Sequence, residues 1–359
     1  MRILRRSVAI TCALHIGACA LEAEPDTIVG NTEQRERQSA VAAESASAAP
    51  AAVVNLTQFV NPFIGTDDSN SPNPVPGGAG GSTYPGPVLP FGMVQLGPDT
   101  PTGSPSGYRF SDTSIEDFSL THFDGAGCPN NEDLNLLPIT GALGASPGTS
   151  WTSYASAYTK ANETAAPGYY RTVLDRYATT VELTTTTRTG QLRLTYPATA
   201  TAQLLINTSR MATASRSGSL TISGSTITGQ LTGGGFCGSS KTFPIFFTIT
   251  FDRAPTAHGT WSGGTITSGS NTASGVNTGG FVTFDTRTNP VVQVSVALSY
   301  VSGANASQNL ATESPSFDFD ARRTAADAAW NQILNRVQVT GGSTSDQQQF
   351  YTEIGRAHV

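Results

Sequence analysis

The residues best suited to chemistry are concentrated between residues 61 and 133. The densest stretch is Thr121–Asp133, which reads Thr-His-Phe-Asp-Gly-Ala-Gly-Cys-Pro-Asn-Asn-Glu-Asp. Closely spaced Gly and Pro predict ordered, non-repetitive loops here rather than regular elements. Three aromatic residues, Tyr84, Phe91 and Tyr108, lie upstream. Aromatic rings beside Asn, Asp and His suit a sugar, because a pyranose offers an apolar face for stacking and hydroxyls for hydrogen bonding.

The same residues have ordinary structural interpretations. His122 is compatible with a hydrogen-bonded structural histidine, and Asp124 and Asp133 could cap turns or fasten loops. Gly125 and Gly127 could simply supply positive φ angles. The residue types alone leave these alternatives open.

The composition excludes one class of partner. Charged residues are 13% of the chain, against about 25% in typical globular proteins. The 20 basic residues are outnumbered by 26 acidic ones, which gives a net charge of −6. Such a chain does not neutralise phosphates, so no nucleic acid is expected as a partner. Glu116 and Asp117 are predicted to be solvated.

The first twenty residues predict export. Three arginines fall within the first six residues, and residues 7–18 are mostly apolar. This pattern is typical of a signal peptide and is too short for a membrane span. Ile-Gly-Ala-Cys at 16–19 is similar to a lipobox, which makes Cys19 a lipidation candidate; ordinary signal-peptidase cleavage around residues 18–20 is the alternative. The expected location is the periplasm or the cell surface, with possible membrane attachment through a lipid. Residues 21–55 lack the apolar content for a core and predict a flexible tether.

After removal of the leader, Cys128 and Cys237 are the remaining cysteines. In an oxidising compartment the two could form a disulfide, and two buried free thiols are the alternative.

From about residue 53 to 302 the pattern predicts strands and turns, and residues 56–312 are predicted to form a β-sandwich domain. Apolar alternation occurs at 179–183, 191–196, 219–231, 243–251 and 291–300. Many short strands with Gly-rich connections indicate a mainly β, antiparallel sandwich.

The pattern becomes helical near residue 316. Asp318 or Asp320 can cap a helix within 316–340, and its apolar stripe is Ala326, Trp330, Ile333 and Val337. Gly341-Gly342 would end it, and a second helix begins near Asp346. The chain ends soon afterwards, so we expect it to stop within a fold. Residues 354–359, including His358, match a reading frame of a common sequencing adapter and are treated as non-native.

A set of short segments is collinear with one known family. The segments are Val60–Thr66, Pro85-Gly86, Pro90–Gln95, Pro98-Asp99, His122 with Gly125–Cys128, Leu136–Pro138, Pro167–Tyr170, Glu182–Thr184, Phe236–Gly238, Ala329-Trp330 and Phe350–Thr352. In this order they resemble the N-terminal domain of glycoside hydrolase family 92, the calcium-dependent exo-α-mannosidases. Two positions depart from the family pattern: Ala126 stands between the glycines, and Glu132-Asp133 replaces the usual Gly-Asp.

The resemblance implies a galactose-mutarotase-like antiparallel β-supersandwich, a linking α-helix and the start of an (α/α)6 helical barrel at residues 345–359. It further implies inverting, exo-acting hydrolysis of terminal mannose from glycans with Ca²⁺. The acid, the base and most calcium ligands of the family lie on the barrel. No catalytic residue is therefore assigned, the metal ligands are unknown, and this chain alone is expected to be inactive.

The same resemblance implies that the sandwich loops contact the sugar. On that basis the predicted substrate-binding residues are His122, Asp124, Gly125, Gly127, Cys128 and Asp133. The implied partners are mannose-containing glycans and the protein's own barrel domain. Two alternatives are a non-catalytic carbohydrate-binding surface lipoprotein and a sandwich that serves only as a scaffold.

Overall fold

The computed structural model describes residues 54–67, 82–103, 105–125 and 127–356. The predicted signal peptide, the lipidation candidate Cys19 and almost all of the predicted tether lie outside the described residues. Within the described part of the chain, no helix is both long enough and apolar enough to cross a membrane.

The described residues form eighteen short strands. They are β1 (Gly97–Asp99), β2 (Ser114–Ile115), β3 (Asp117–Ser119), β4 (Asn135–Thr140), β5 (Ser156–Ala157), β6 (Thr164–Ala166), β7 (Tyr169–Leu174), β8 (Thr179–Thr185), β9 (Thr189–Thr195), β10 (Ala202–Asn207), β11 (Ser217–Ser223), β12 (Thr226–Gly234), β13 (Thr242–Phe251), β14 (Ala257–Ser262), β15 (Thr265–Ser268), β16 (Thr272–Val276), β17 (Thr278–Phe284) and β18 (Val291–Ser299).

Two large antiparallel sheets contain most of these strands. One has seven strands in the order β1-β3-β4-β10-β17-β14-β15, and the other has nine in the order β16-β11-β12-β13-β18-β9-β8-β7-β6. Strands β2 and β5 form a small separate pair. The predicted fold class, a mainly β antiparallel sandwich followed by helices, is confirmed.

The inner faces of the two sheets share one hydrophobic core. Val292, Val294 and Val296 of β18 are fully buried, as their period-two spacing requires. Phe251 of β13 and Phe284 of β17 bring the two sheets together with ring centroids 5.4 Å apart. Hydrophobic burial by alternating residues is therefore what stabilises the sandwich.

Four α-helices and several 3₁₀ turns complete the part of the chain that the structure describes. The helices are α1 (Pro147–Ser150), α2 (Gly303–Glu313), α3 (Phe319–Leu334) and α4 (Thr344–Arg356). The 3₁₀ turns are Thr57–Phe59, Trp151–Tyr154, Lys160–Asn162, Asp175–Tyr177 and Phe236–Gly238.

Helix α2 lies in the last part of the predicted sandwich domain, residues 56–312. The last strand ends at Ser299, and the helix follows it. Ser302 caps α2 by accepting a hydrogen bond from the Asn305 backbone N–H at 3.1 Å. The buried face of α2 is only Ala306, Asn309 and Leu310, which is too short an apolar stripe to stand out in the sequence.

Helix α3 is shorter than the predicted helix. Its buried residues are Phe319, Ala326, Trp330 and Leu334, and Val337 lies beyond its end and is 49% exposed. The end is set by the N-terminal segment: Asn331 Oδ1 accepts from Leu56 N–H at 2.8 Å. Asn335 Nδ2 donates to the Val54 carbonyl at 2.8 Å. These hydrogen bonds join residues more than 270 positions apart. The local apolar spacing does not reveal them, and it therefore predicts a helix that is too long.

A second, smaller core joins the N-terminal segment to the helices. It consists of Leu56, Leu334 of α3 and Tyr351 of α4. Helix α4 begins with a reciprocal capping box, because Ser343 Oγ accepts from Asp346 N–H while Asp346 Oδ2 accepts from Ser343 N–H. Gly168 of the β6–β7 turn packs against α3, and a Cβ at this position would lie 2.5 Å from the Ala326 Cβ.

Candidate functional site

The loop that connects β3 to β4 carries the predicted site residues. Gly125 and Gly127 have φ angles of +74° and +67°, and an added Cβ at either would meet nothing within 4 Å. Glycine is therefore favoured at both positions by the positive φ of the turn, and not by a neighbouring atom that approaches the backbone closely. Three further residues of this segment, Asn131, Glu132 and Leu134, also have positive φ. Such strained conformations persist only where the surrounding structure enforces them, and they are concentrated at functional sites.

His122 lies beneath the loop, not on its surface. It is 1% exposed, and its ring stacks on Tyr84 with centroids 4.3 Å apart. Its Nδ1 donates to the Gln95 carbonyl at 2.7 Å, and its Nε2 lies 3.2 Å from Asp99 Oδ1. Burial lowers the pKa of His122, although nearby polar and acidic groups oppose the effect. The structural interpretation of this histidine fits these contacts.

Asp124 is half-buried and faces a cavity. Its Oδ1 accepts a hydrogen bond from Tyr84 N–H at 3.1 Å, which fixes the side chain. The cavity is mainly apolar, measures about 60 Å³ and is also lined by Trp330 of α3 and Thr352 of α4. Trp330 Nε1 donates to the Val88 carbonyl at 2.6 Å, so this helix is fastened to the wall beside Asp124.

A disulfide joins Cys128 to Cys237, which are 109 residues apart in the chain. Of the two alternatives that the sequence leaves open, the structure contains the disulfide and not two buried free thiols. Phe123 and Phe236 form an edge-to-face pair with centroids 6.1 Å apart, and each is 45% exposed. The cross-link and the aromatic pair together hold the 121–133 loop against the turn at Phe236–Gly238.

Asp133 is buried, with 1% of its surface exposed. Its Oδ2 accepts from Thr121 Oγ1 at 3.0 Å, and its own N–H donates to the same hydroxyl at 2.9 Å. Burial raises the pKa of Asp133 to about 6. Of the six predicted contact residues, Gly125 and Gly127 are therefore exposed and Asp124 and Cys128 are half-buried, whereas His122 and Asp133 support the loop from below.

Glu116 and Asp117 are not solvated, which corrects the expectation from sequence. Asp117 is fully buried, where its Oδ1 accepts from Asn135 Nδ2 at 2.9 Å and its Oδ2 from Trp151 Nε1 at 2.6 Å. Glu116 forms an ion pair with Arg210. In the sequence, the two acids are flanked by Ile115 and Phe118, which are both fully buried, but no period-two alternation marks the segment as a strand. Arg210 lies 94 residues downstream, so nothing local predicts it as the partner.

The described part of the chain shows no cluster of side chains that suits a calcium ion. Ca²⁺ takes six to eight oxygen ligands. Among the described residues, no group of three or more His, Cys, Asp or Glu side chains is placed to hold a metal ion. The implied calcium therefore remains a prediction.

Comparisons with known proteins match nearly the whole described region to a single family. Residues 59–299 match the family model of the glycosyl hydrolase family 92 N-terminal domain, and residues 305–359 match that of its catalytic domain. The structure is similar to the family GH92 α-mannosidase BT3965 from Bacteroides thetaiotaomicron, with a TM-score of 0.75 and 30% identity. That match covers 85% of this chain and 41% of the mannosidase.

Two further solved structures are similar. The family GH92 glycosyl hydrolase ccman5 has a TM-score of 0.75 at 26% identity, over 84% of this chain and 41% of that one. The inverting mannosidase BT2199 from Bacteroides thetaiotaomicron has a TM-score of 0.73 at 20% identity, over 87% and 40% of the two chains, and it supports the fold alone. This chain thus spans about two fifths of the length of these structures. A comparison with curated protein sequences found no match.

Proposed function

The chain belongs to glycosyl hydrolase family 92, and on this premise we propose that it forms the sugar-facing part of an enzyme that hydrolyses terminal α-mannose from glycans. One of the similar mannosidase structures is a complex with mannoimidazole, which supports mannose as the sugar. The proposed enzyme is exo-acting and inverting.

One observation carries the proposal. The cavity beside Asp124 is lined by residues from both family regions: Tyr84 and Asp124 belong to the N-terminal-domain match, and Trp330 and Thr352 belong to the catalytic-domain match. Thr352 Oγ1 also accepts a hydrogen bond from Asn61 N–H at 2.9 Å. Ligand sites occur preferentially where domains meet, so this contact zone is the natural place for a substrate.

The loop residues have distinct proposed roles at this zone. The Asp124 carboxylate accepts hydrogen bonds from sugar hydroxyls, while its bond to Tyr84 N–H fixes its direction. The exposed rings of Phe123 and Phe236 offer apolar faces for a neighbouring sugar unit. The Cys128–Cys237 disulfide reduces the conformational entropy that the loop loses on binding. His122, stacked on Tyr84, positions the loop without touching the substrate.

Inverting hydrolysis needs a carboxylic acid and a carboxylate base roughly 6.5–9.5 Å apart, with a water between them. We assign neither group to this chain. Both are proposed to lie in the part of the family's length that this chain does not span, together with the ligands of the implied calcium, which would polarise sugar hydroxyls as a Lewis acid. The leader at residues 1–20 supports export to the periplasm or the cell surface, with Cys19 as the proposed lipid anchor.

The test is an assay of the full-length gene product with a nitrophenyl α-mannoside. We expect calcium-dependent release of nitrophenol with inversion at the anomeric carbon, and no turnover by residues 54–356 alone. Asp124→Ala should lower kcat/KM about 10- to 100-fold, the loss expected for a hydrogen bond to a charged group. Asp175→Ala, a surface carboxylate away from the cavity, should change it less than twofold.

Two results would contradict the proposal. Turnover by residues 54–356 alone would place the proton-transfer groups within this chain. Mannoside binding without hydrolysis by the full-length product would favour the non-catalytic carbohydrate-binding lipoprotein instead.

A further inference from the structure

A second cavity, larger and more polar than the one beside Asp124, opens on another part of the sandwich. Its walls are the segment 147–152 and the loop 207–215 that follows β10, and its floor contains Thr100, Glu116 and Glu132. We call it the Glu132 cleft. Its volume is about 530 Å³, within the roughly 300–1,000 Å³ range of small-molecule sites. It shares no lining residue with the Asp124 cavity.

The floor of the Glu132 cleft is a fixed network of charges. Arg210 is paired with Glu116, and its Nε lies 3.6 Å from Asp117 Oδ2. Trp151 Nε1 donates to the same Asp117 oxygen. Asn207 Oδ1 accepts from the N–H groups of Ser209 and Arg210 at 2.9 and 3.0 Å, which holds the start of the 207–215 loop. These side chains are positioned before any ligand arrives, and preorganisation of this kind lowers the cost of binding.

Glu132 differs from the other charged groups of this floor, because no contact in the described part of the chain explains why its side chain is buried. It is 9% exposed, and its carboxylate accepts no hydrogen bond from any residue that the structure describes. Burial raises the pKa of Glu132 well above its ordinary value. Its backbone is also held at φ +60°. Buried polar groups are almost always paired, so an unpaired one that lines a cavity points to a missing ligand.

The lining selects the chemistry of that ligand. The described lining offers an anion no free positive charge, because Arg210 is already paired with Glu116 and lies close to Asp117. A metal ion is disfavoured because the described residues hold no group of metal-ligating side chains. The remaining groups are the hydroxyls of Thr149 and Thr152, the amides of Asn207 and Asn277, and the carboxyl group of Glu132. Hydroxyls and amides both donate and accept hydrogen bonds, and a carboxyl group accepts them whether or not it is protonated.

We propose that the Glu132 cleft is a second sugar-binding site, which takes a neutral hexose unit by hydrogen bonds to its hydroxyls. This inference does not rest on the hydrolase function, because the cleft lies apart from the Asp124 cavity and needs no proton-transfer group. In a glycan-degrading protein, such a site would hold another part of the same glycan and raise its local concentration.

The test uses saturation-transfer NMR and calorimetric titration of the full chain with D-mannose and D-glucose. Glu132→Gly removes the polar side chain and keeps a residue that tolerates positive φ. Thr149→Trp fills the cleft from its exposed wall. We expect both variants to bind at least tenfold more weakly than the unmodified chain. The control Thr221→Trp, on an exposed position of β11, should bind normally.

Three outcomes would overturn the inference. Absence of hexose binding by the unmodified chain is the first. Unchanged binding by both cleft variants, when circular dichroism shows that they are folded, is the second. The third is loss of binding in Asp124→Ala alone, which would assign the sugar to the other cavity and leave the proposed function intact.

Discussion

His122 Nε2 lies 3.2 Å from Asp99 Oδ1 in a site where both side chains are buried. On the other side of the ring, Nδ1 faces the Gln95 carbonyl at 2.7 Å. A carbonyl oxygen only accepts, so Nδ1 carries a proton. Burial lowers the pKa of His122, and burial together with the charge of Asp117 raises the pKa of Asp99. Both shifts favour the neutral pair, in which we expect the Asp99 proton to be donated to Nε2.

The neutral pair makes Asp99→Asn a nearly silent substitution. An amide at this position still donates to Nε2, so the free energy of unfolding at pH 7 should change by less than about 1 kcal/mol. Asp99→Ala removes this donor and leaves Nε2 with only the longer contact to Ser119 Oγ at 3.4 Å, which should cost about 1–3 kcal/mol. Urea unfolding of both variants measures the difference. If Asp99→Asn costs as much as about 3–5 kcal/mol, the pair is ionised, because a buried charge has lost its counterion.

Asp133 predicts a specific dependence of stability on pH. Its pKa is about 6 in the folded chain and 3.8 in the reference state, so the folded chain holds a proton that the unfolded chain releases between these values. The stabilisation from Asp133 is therefore complete below about pH 3.8 and is lost as the pH rises through about 6. Relative to Asp133→Asn, the unmodified chain should lose about 3 kcal/mol between pH 4 and pH 7. A difference between the two unfolding curves that does not vary with pH would refute this assignment.

Much of the fold follows from local patterns, because burial on a sheet repeats every second residue. The hairpin around Gly224, which has φ +58°, and the buried alternation of Val292, Val294 and Val296 are of this kind. The Trp330 helix was likewise predictable, since its buried residues recur at helical spacing. Its end was not predictable, because Asn331 and Asn335 bind the segment at Val54–Leu56.

The candidate site was also predictable only in part from the sequence. The 121–133 loop is identifiable by its Gly, Asn and Asp content, and the structure places Asp124 beside a cavity. Which polar side chains are buried depends on distant partners: Asp117 is enclosed by Asn135 and Trp151, and Arg210 completes its charge balance. Sequence spacing carries no information on such contacts, so Glu116 and Asp117 looked like ordinary solvated residues.

The Cys128–Cys237 disulfide closes a loop of 109 residues. A cross-link that closes a loop of this length lowers the conformational entropy of the unfolded chain and so stabilises the folded one. Loop-closure entropy predicts a stabilisation of about 4–5 kcal/mol, whereas measured values are commonly about 2–4 kcal/mol. We expect the double variant Cys128→Ala/Cys237→Ala to lose about 3 kcal/mol in urea unfolding. Dithiothreitol should destabilise the unmodified chain by a similar amount and leave the double variant unchanged. Equal effects of reductant on both chains would show that the cross-link is not what stabilises the loop.

Lys160 is enclosed by aromatic rings and paired with a buried acid. Its Nζ lies 4.4–4.8 Å from the ring centroids of Tyr158, Phe110 and Tyr108, and 3.2 Å from Glu163 Oε2. The Glu163 side chain is 1% exposed, so it depends on this cation for charge compensation. Lys160→Met keeps the apolar stem but leaves the carboxylate buried without its cation, and we expect a loss of about 2–3 kcal/mol.

A double-mutant cycle isolates the charge pair from the packing of the lysine stem. In the Lys160→Met chain, Glu163→Gln should recover part of the lost stability, because a neutral amide needs no counterion. The coupling energy between the two positions should therefore be at least about 1 kcal/mol. The chain offers a matched control in its other lysine, since Lys241 is exposed and Lys241→Met should change stability by less than about 0.5 kcal/mol. Strict additivity of the two substitutions would mean that the rings alone hold Lys160 and that Glu163 is stabilised by the hydroxyls of Tyr108 and Tyr170.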